Sequence, residues 1–274
     1  MAATRSAGVK SRTGPRPARP YDVFAEFYDR SYLGWRGESA YRQYAALLGW
    51  AVDESTTACD LACGTGALAL ELARKGLTVY AVDNHPAMAA QARARARTSR
   101  GRMRVLEADM RRFQLPEKVG LIACMFDAVN HLTRRDDLHA LLTSVRANLL
   151  PGGYFCFDVN TVAGVRHPWP AAPDVASGTR QGRKWCRIAR ALPFDGRRLR
   201  GGTSFEWFLE GTGGRFRRVV EEYWEIAWRD GAIDDALERE GFTILDRWDG
   251  SVLERGLGQG LRTYYRTRLR APTG

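Results

Sequence analysis

The sequence predicts an alternating α/β chain built on a doubly wound, mostly parallel sheet, and three observations carry that prediction. Short apolar runs alternate with longer helix-forming stretches across residues 56–160. Three successive runs end in an acid: Asp60, Asp83 and Asp109. The first is followed by Gly64-Thr65-Gly66, a tight glycine turn at the start of a helix-forming stretch. This order sets three carboxylates and a flexible turn along the carboxyl edge of one sheet, where open α/β folds bind ligands.

Each element follows from its residues. Residues 56–60 form the first strand and 67–75 the first helix; 77–83, with Val79, Tyr80 and Val82, form a second buried strand. His85-Pro86 opens the second helix, since proline is tolerated in a first turn. Strands follow at 104–109 and 119–126, then an amphipathic helix at 134–149, a Pro151-Gly152-Gly153 turn and a strand at 154–160. Beyond this the pattern changes. Residues 184–191, 203–210 and 215–228 read as strands joined at Asp195-Gly196 and at 211–214, both hairpin signals. A helix at 233–240 and strands at 242–248 and 261–270 close the chain. The expected divisions are a disordered basic tail (1–20), an N-terminal helical lid (21–55), the ligand-binding core (56–165), an antiparallel β insertion capping the acceptor side (166–230) and the C-terminal part of the core sheet (231–274).

Composition bounds the class. The chain has 274 residues, 45% hydrophobic and 27% charged, ordinary for a globular protein with a sizeable core. No apolar run approaches a bilayer span and residues 1–20 lack a signal-peptide centre, so a cytoplasmic protein with no membrane partner is expected. Five cysteines without a C-x-x-C pair read as reduced core thiols, and no metal site is expected. Part of the net charge of +11 sits in the tail, and six arginines (93, 95, 97, 100, 102 and 104) crowd the second helix and the following loop. These are expected to form a solvated face away from the acceptor, with weak attraction to nucleic acid as the alternative.

The stretch at 64–69 fits G-x-G-x-x-A, which also describes dinucleotide sites. Asp60 would repel a pyrophosphate there but accept from an ammonium, and Asp83 can hold both hydroxyls of a ribose. A cationic amino-acid nucleoside is the expected ligand. Asp-Leu-Ala-Cys-Gly-Thr-Gly at 60–66, Val-Asp-Asn-His-Pro-Ala-Met at 82–88, Ala-Asp-Met at 108–110 and Leu-Pro-Gly-Gly at 150–153 then resemble, in order and spacing, the class I S-adenosylmethionine (SAM) methyltransferases. The resemblance implies a Rossmann-like seven-stranded sheet with a terminal antiparallel hairpin, and SAM as cofactor. It implies cofactor contacts from Tyr21, Tyr28, Asp60, Ala62, Gly64, Thr65, Gly66, Asp83, Asn84, Ala108 and Met125. Met88 and Met110 would flank the adenine, Asp109 would accept from its amino group, and Arg36 would pair with the SAM carboxylate. The aromatic stripe Phe24, Phe27, Tyr28 and Tyr32 is similar to the lid of glycine N-methyltransferase and the amino-sugar N,N-dimethyltransferases.

The run Cys-Met-Phe-Asp-Ala-Val-Asn-His-Leu at 124–132 resembles the acceptor loop of the glycine N-methyltransferase group. It lacks the Asn/Asp-Pro-Pro-aromatic signature of many nucleic-acid and protein N-methyltransferases, so a small-molecule acceptor leads. The expected catalytic residues are His131, Asn130 and Asp127, with Tyr32 or Tyr28 as orienting hydroxyl, acting on an amine. O-methylation of a small molecule, RNA methylation and a non-catalytic SAM-binding subunit are the alternatives, and a homodimer stays open.

Overall fold

The strand-forming runs assemble much as the alternation predicts. In the computed structural model, which describes residues 18–29, 48, 57–167, 170, 172–249 and 260–271, the first five strands are β1 (Thr57–Leu61), β2 (Thr78–Asp83), β3 (Met103–Glu107), β4 (Val119–Cys124) and β5 (Leu149–Asn160). Helices α1 (Ala67–Arg74), α2 (Pro86–Ala96) and α3 (Arg135–Asn148) connect them, and the short α4 (Val162–Arg166) follows β5. The insertion holds β6 (Asp174–Arg180), β7 (Arg183–Asp195), β8 (Arg200–Glu210) and β9 (Phe216–Ile226), paired antiparallel in that order. Then come α5 (Ala232–Arg239), β10 (Phe242–Asp249) and β11 (Arg262–Leu269). The main sheet has seven strands in the order β10-β11-β5-β4-β1-β2-β3, with β11 antiparallel to both neighbours.

The parallel strands are covered on both faces, so they read as continuous apolar runs. Successive residues alternate between two cores. Cys59, Leu61, Val82 and Ile122 join the side covered by α3 and α5, while Ala58, Val79, Ala81 and Leu121 join the side covered by α1. Strand order reverses between β1 and β4, which opens the crevice where this fold class binds ligands. A third cluster joins Val23, Phe24 and Phe27 to Phe205, Trp207 and Tyr223 of the insertion.

Several expectations need correction. The third strand stops at Glu107, two residues short of Asp109. The fourth stops at Cys124, because Phe126 (φ 63°) and Asp127 (φ 57°) turn left-handed. Strand β6 escaped the alternation test: only Val175 and Ala176 are apolar in it, and Val175 is 62% exposed at the sheet edge. Residues 18–20, expected in the disordered tail, are ordered, with Ala18 N donating to Val220 O at 2.8 Å. Residues 21–29 carry a three-ten turn (Phe24–Glu26) against the insertion. Tyr32, Arg36 and, apart from the buried helical Leu48, residues 30–55 of the expected helical lid lie outside the described residues. Among the described residues no helix is long and apolar enough to cross a membrane. All five cysteines are free thiols, and burial pushes those of Cys59, Cys63, Cys124 and Cys156 up, which keeps them inert.

Candidate functional site

Three strand ends build one half of the site. Asp60 is buried at the end of β1, and its Oδ2 accepts from Ala69 N in the first turn of α1 at 2.9 Å. The residue before that helix is Gly66, which has no side chain to cap it, so Asp60 supplies the cap. Burial pushes the Asp60 carboxyl up to about 7. Asp83, at the end of β2, accepts from Gly64 N and from His85 N, both at 2.8 Å. It therefore ties the glycine turn to β2 while each oxygen keeps a further lone pair for a ligand hydroxyl. A Cβ on Gly64 (φ +54°) would meet nothing within 4 Å, so this position faces open space. At Gly66 a Cβ would fall 2.6 Å from Met103 Cε, so its bareness serves packing of α1 rather than ligand approach.

The adenine-side expectations fare unevenly. Asp109 accepts from Arg111 with both carboxylate oxygens, and that guanidinium holds its carboxyl below the usual range. The carboxylate expected to receive an adenine amino group is thus already occupied. Met88 is buried yet belongs to none of the three core clusters, whereas Met125 is part of the second. Met110 and Ala108 pack at the margin of the first cluster, and Ala108 N donates to Asp83 O at 3.1 Å. Ala62 (φ 58°) begins the glycine turn in the left-handed region, and the Asn84 carbonyl accepts from Arg19.

Residues 18–29 strap this edge to the insertion. Glu221 of β9, fully buried, accepts from Val23 N (2.8 Å), Phe24 N (3.2 Å), Trp207 Nε1 (2.9 Å) and the Tyr223 hydroxyl (2.9 Å). Four donors make this carboxylate an anchor. At the other end Asp22 faces His85 Nε2 at 3.2 Å, and Thr65 Oγ1 donates to Asp29 Oδ1 at 2.7 Å. The Thr65 hydroxyl is therefore committed to the strap and not turned to a ligand. Arg95 donates to the Thr65 carbonyl at 3.1 Å and pairs with Asp29, so it is no part of a solvated arginine face. Tyr21 (φ 73°) stands between the two halves, its ring centre 6.1 Å from that of His85 and 6.4 Å from that of His131. Tyr28 packs edge-on against Phe24.

The other half is a buried polar floor. Past the left-handed Phe126 and Asp127, the three-ten turn Ala128–His131 carries the acceptor-side residues. Strained backbone of this kind persists where the surroundings over-determine it, and here they do. Asp127 N donates to Asp158 Oδ2 at 3.1 Å, and Arg262 of β11 bridges the carboxylates of Asp127 (2.6 Å) and Asp158. Burial pushes Asp158 up to about 6. Glu225 of β9 lies against Asp127 and accepts from Asn160 Nδ2 at 2.7 Å; burial and then the Asp127 charge push it up to about 8. One donor atom each of Asp127, His131 and Glu225 lie within 4.8 Å of one another, with the Arg262 guanidinium supplying the countercharge. His131 Nδ1 sits 3.1 Å from the Trp224 carbonyl. A carbonyl only accepts, so Nδ1 carries the hydrogen and Nε2 presents a lone pair. Asn130 is a correction: fully buried, it donates to Asn160 O and Ile226 O and accepts from Asn160 N, which uses its amide as a strut.

Comparison with known proteins settles the class of this edge. The methyltransferase domain family matches residues 58–153. The chain carries a SAM-dependent methyltransferase domain. It is 33% identical to the dTDP-3-amino-3,6-dideoxy-α-D-glucopyranose N,N-dimethyltransferase of Streptomyces fradiae over 133 residues, 47% of this chain and half of that relative's length. In fold it is similar to DesVI of Streptomyces venezuelae (TM-score 0.68, 21% identity, covering 92% of this chain and all of that one). It is likewise similar to the sugar N-methyltransferase KedS8 of Streptoalloteichus sp. ATCC 53650 (TM-score 0.71, 18% identity, 98% and 100% covered).

The SAM cofactor of the methyltransferase domain fits the residues found. Gly64 leaves open space at the turn, Asp83 has lone pairs for the ribose hydroxyls, and Met88 offers an apolar side chain outside the core clusters. The strap rests on the same turn through Thr65, Asp29 and Arg95. Arg95→Glu, which sets a carboxylate beside Asp29, is therefore expected to weaken SAM binding about fivefold to tenfold by calorimetry, the scale of one ordinary hydrogen bond of about 1 kcal/mol. Unchanged affinity would return Arg95 to the solvent face. Sequence reasoning missed Glu221, Glu225, Asp158 and Arg262. For the first two a signal existed, since residues 221, 223 and 225 share one face of an alternating strand with the aromatic Tyr223.

Proposed function

We propose that this methyltransferase acts on a nitrogen of a small-molecule amine, with His131 on the acceptor side. The carrying observation is the fixed imidazole: Nδ1 is held by the Trp224 carbonyl, so Nε2 offers its lone pair beside Tyr21 at the strand-reversal crevice. When bound, SAM supplies an activated methyl group on a sulfonium. An amine can attack only as the neutral base, so a residue that takes or orients its proton is needed. His131 has that capacity, Tyr21 flanks it, and the Arg262 bridge holds the loop that carries it. Asp60, Asp83 and Gly64 hold the nucleoside side, and the strap is tied to the turn through Thr65 and Asp29.

The relative of Streptomyces fradiae, an amino-sugar N,N-dimethyltransferase by name, supports an amine, and the likeness to KedS8 agrees with it. An RNA acceptor is less well supported, because three of the six arginines that suggested it have partners within the fold: Arg93 pairs with Glu107, Arg95 with Asp29, and Arg102 donates to the Gly76 carbonyl. The test is a panel of small amines, including dTDP-amino sugars, each with its hydroxyl analogue, followed by mass spectrometry of the methylated product. His131→Ala is expected to lower amine turnover about 100-fold, the scale of one acid–base contribution, while SAM affinity stays within about twofold. Full turnover in His131→Ala, or methylation of the hydroxyl analogues alone, would refute the reading.

A further inference from the structure

Glu225 stands at the floor of the acceptor side without a role in the steps above. It is carried by β9 opposite Gly201 of β8, and its strand face also bears Glu221 and Tyr223. Asp127 and His131 face it from the turn after β4, Asn160 from the end of β5, and Arg262, which also pairs with Asp158, from β11. From β8 the Arg200 guanidinium stacks 3.9 Å from the ring of the neighbouring Trp224. Arg262 is committed to Asp127 and Asp158, and among the described residues Glu225 makes no ion pair of its own. Its hydrogen-bond donor is the neutral Asn160 amide. Three carboxylates therefore share one guanidinium, and Glu225 is the one left over, within 4.8 Å of the imidazole that marks the acceptor side.

We propose that Glu225 is the proton acceptor for a cationic amine acceptor. The inference rests on the amine reading. An N–H bond of the ammonium breaks, its electron pair stays on nitrogen, and the proton forms an O–H bond on a Glu225 oxygen. One proton moves and no other reactant is needed. Neutral nitrogen is left beside His131. Asp127 acts through Glu225 as a positioning residue, its charge keeping the neighbouring carboxyl basic. A carboxyl pushed up to about 8 takes and releases a proton near neutral pH, the range in which an acid–base group is most effective.

The first test needs no turnover. In protein labelled with carboxyl-13C glutamate, the Glu225 signal is identified by its loss in Glu225→Gln, a change that keeps an oxygen for Asn160. The signal is expected to titrate near pH 8 in wild type and lower in Asp127→Asn. At pH 7.5 added methylammonium chloride is expected to shift it towards the ionised position, because the bound cation pairs with the carboxylate before a proton moves, with ethylene glycol inert. Titration in the ordinary carboxylate range, or indifference to methylammonium, would overturn the proposal. The second test is the pH profile of kcat/KM with an amine from the panel: a rise through about pH 8 in wild type, and its loss with an approximately 100-fold fall in Glu225→Gln. If amines are methylated and that variant keeps the wild-type profile, Glu225 is not the acceptor and the amine reading stands. If Glu225 titrates and responds to methylammonium but no amine is methylated, the amine reading fails and takes this role of Glu225 with it.

Discussion

Arg262→Leu is expected to cost about 3 kcal/mol of stability, a fall in melting temperature of about 10 °C. The guanidinium is buried between Asp127 and Asp158, which are themselves 8% and 0% exposed, and its removal leaves both carboxylates without a cation. The loss is expected to grow with pH. Asp158 and Glu225 titrate at about 6 and about 8 in the folded protein, above their values in an unfolded chain. Between those limits the folded state holds protons that the unfolded state has released, so stability falls as pH rises towards 8 and then levels. Without Arg262 the ionised carboxylates lose their compensation, and the decline steepens. Thermal melts at pH 5.5 and 8.5 measure this directly, and the double variant Arg262→Leu/Asp158→Leu is expected to recover part of the loss. A single variant that melts with wild type at both pH values would show that the floor is not held by charge.

Asp83→Ala is expected to reduce SAM affinity at least tenfold, and for two reasons. Each charge-assisted hydroxyl contact is worth about 1.5–3 kcal/mol at most, and the same carboxylate holds Gly64 N and His85 N at 2.8 Å. Loss of Asp83 therefore removes ribose acceptors and also frees the glycine turn and the start of α2. Asp83→Asn separates the effects, since an amide oxygen can still accept from one backbone donor. Calorimetry should place it between wild type and Asp83→Ala. If SAM binds Asp83→Ala as tightly as wild type, the ribose assignment is wrong.

The sheet was legible because parallel strands buried on both faces leave apolar runs that end in acids at 60 and 83 and turn on glycines at 64 and 66. Strand β6 was not, because an exposed edge strand needs few apolar residues. His131 was expected on the acceptor side from its place after β4, but which nitrogen carries the hydrogen was not legible, since Trp224 lies 93 residues away and reaches it only through the insertion. Asn130 and Asp109 were misread for a related cause: their partners, Asn160, Ile226 and Arg111, decide whether a polar side chain faces a ligand or the fold. Asp158 meets Asp127 through the parallel pairing of β4 with β5, and Arg262 joins them only when β11 pairs antiparallel with β5, registers no local pattern encodes. Phe205, Trp207 and Tyr223 of the insertion dock the strap through Phe24 and Phe27, a contact between segments about 180 residues apart that no local pattern encodes.

The most direct test of the central claim is the fate of the methyl group. Purified protein is incubated with methyl-labelled SAM and, separately, the small-molecule, RNA and protein fractions of a cell extract, and the labelled product is characterised. Label is expected in the small-molecule fraction, on nitrogen, resistant to ribonuclease and strongly reduced in His131→Ala. Label confined to RNA or protein, or undiminished in His131→Ala, would contradict a small-amine methyltransferase organised around that histidine.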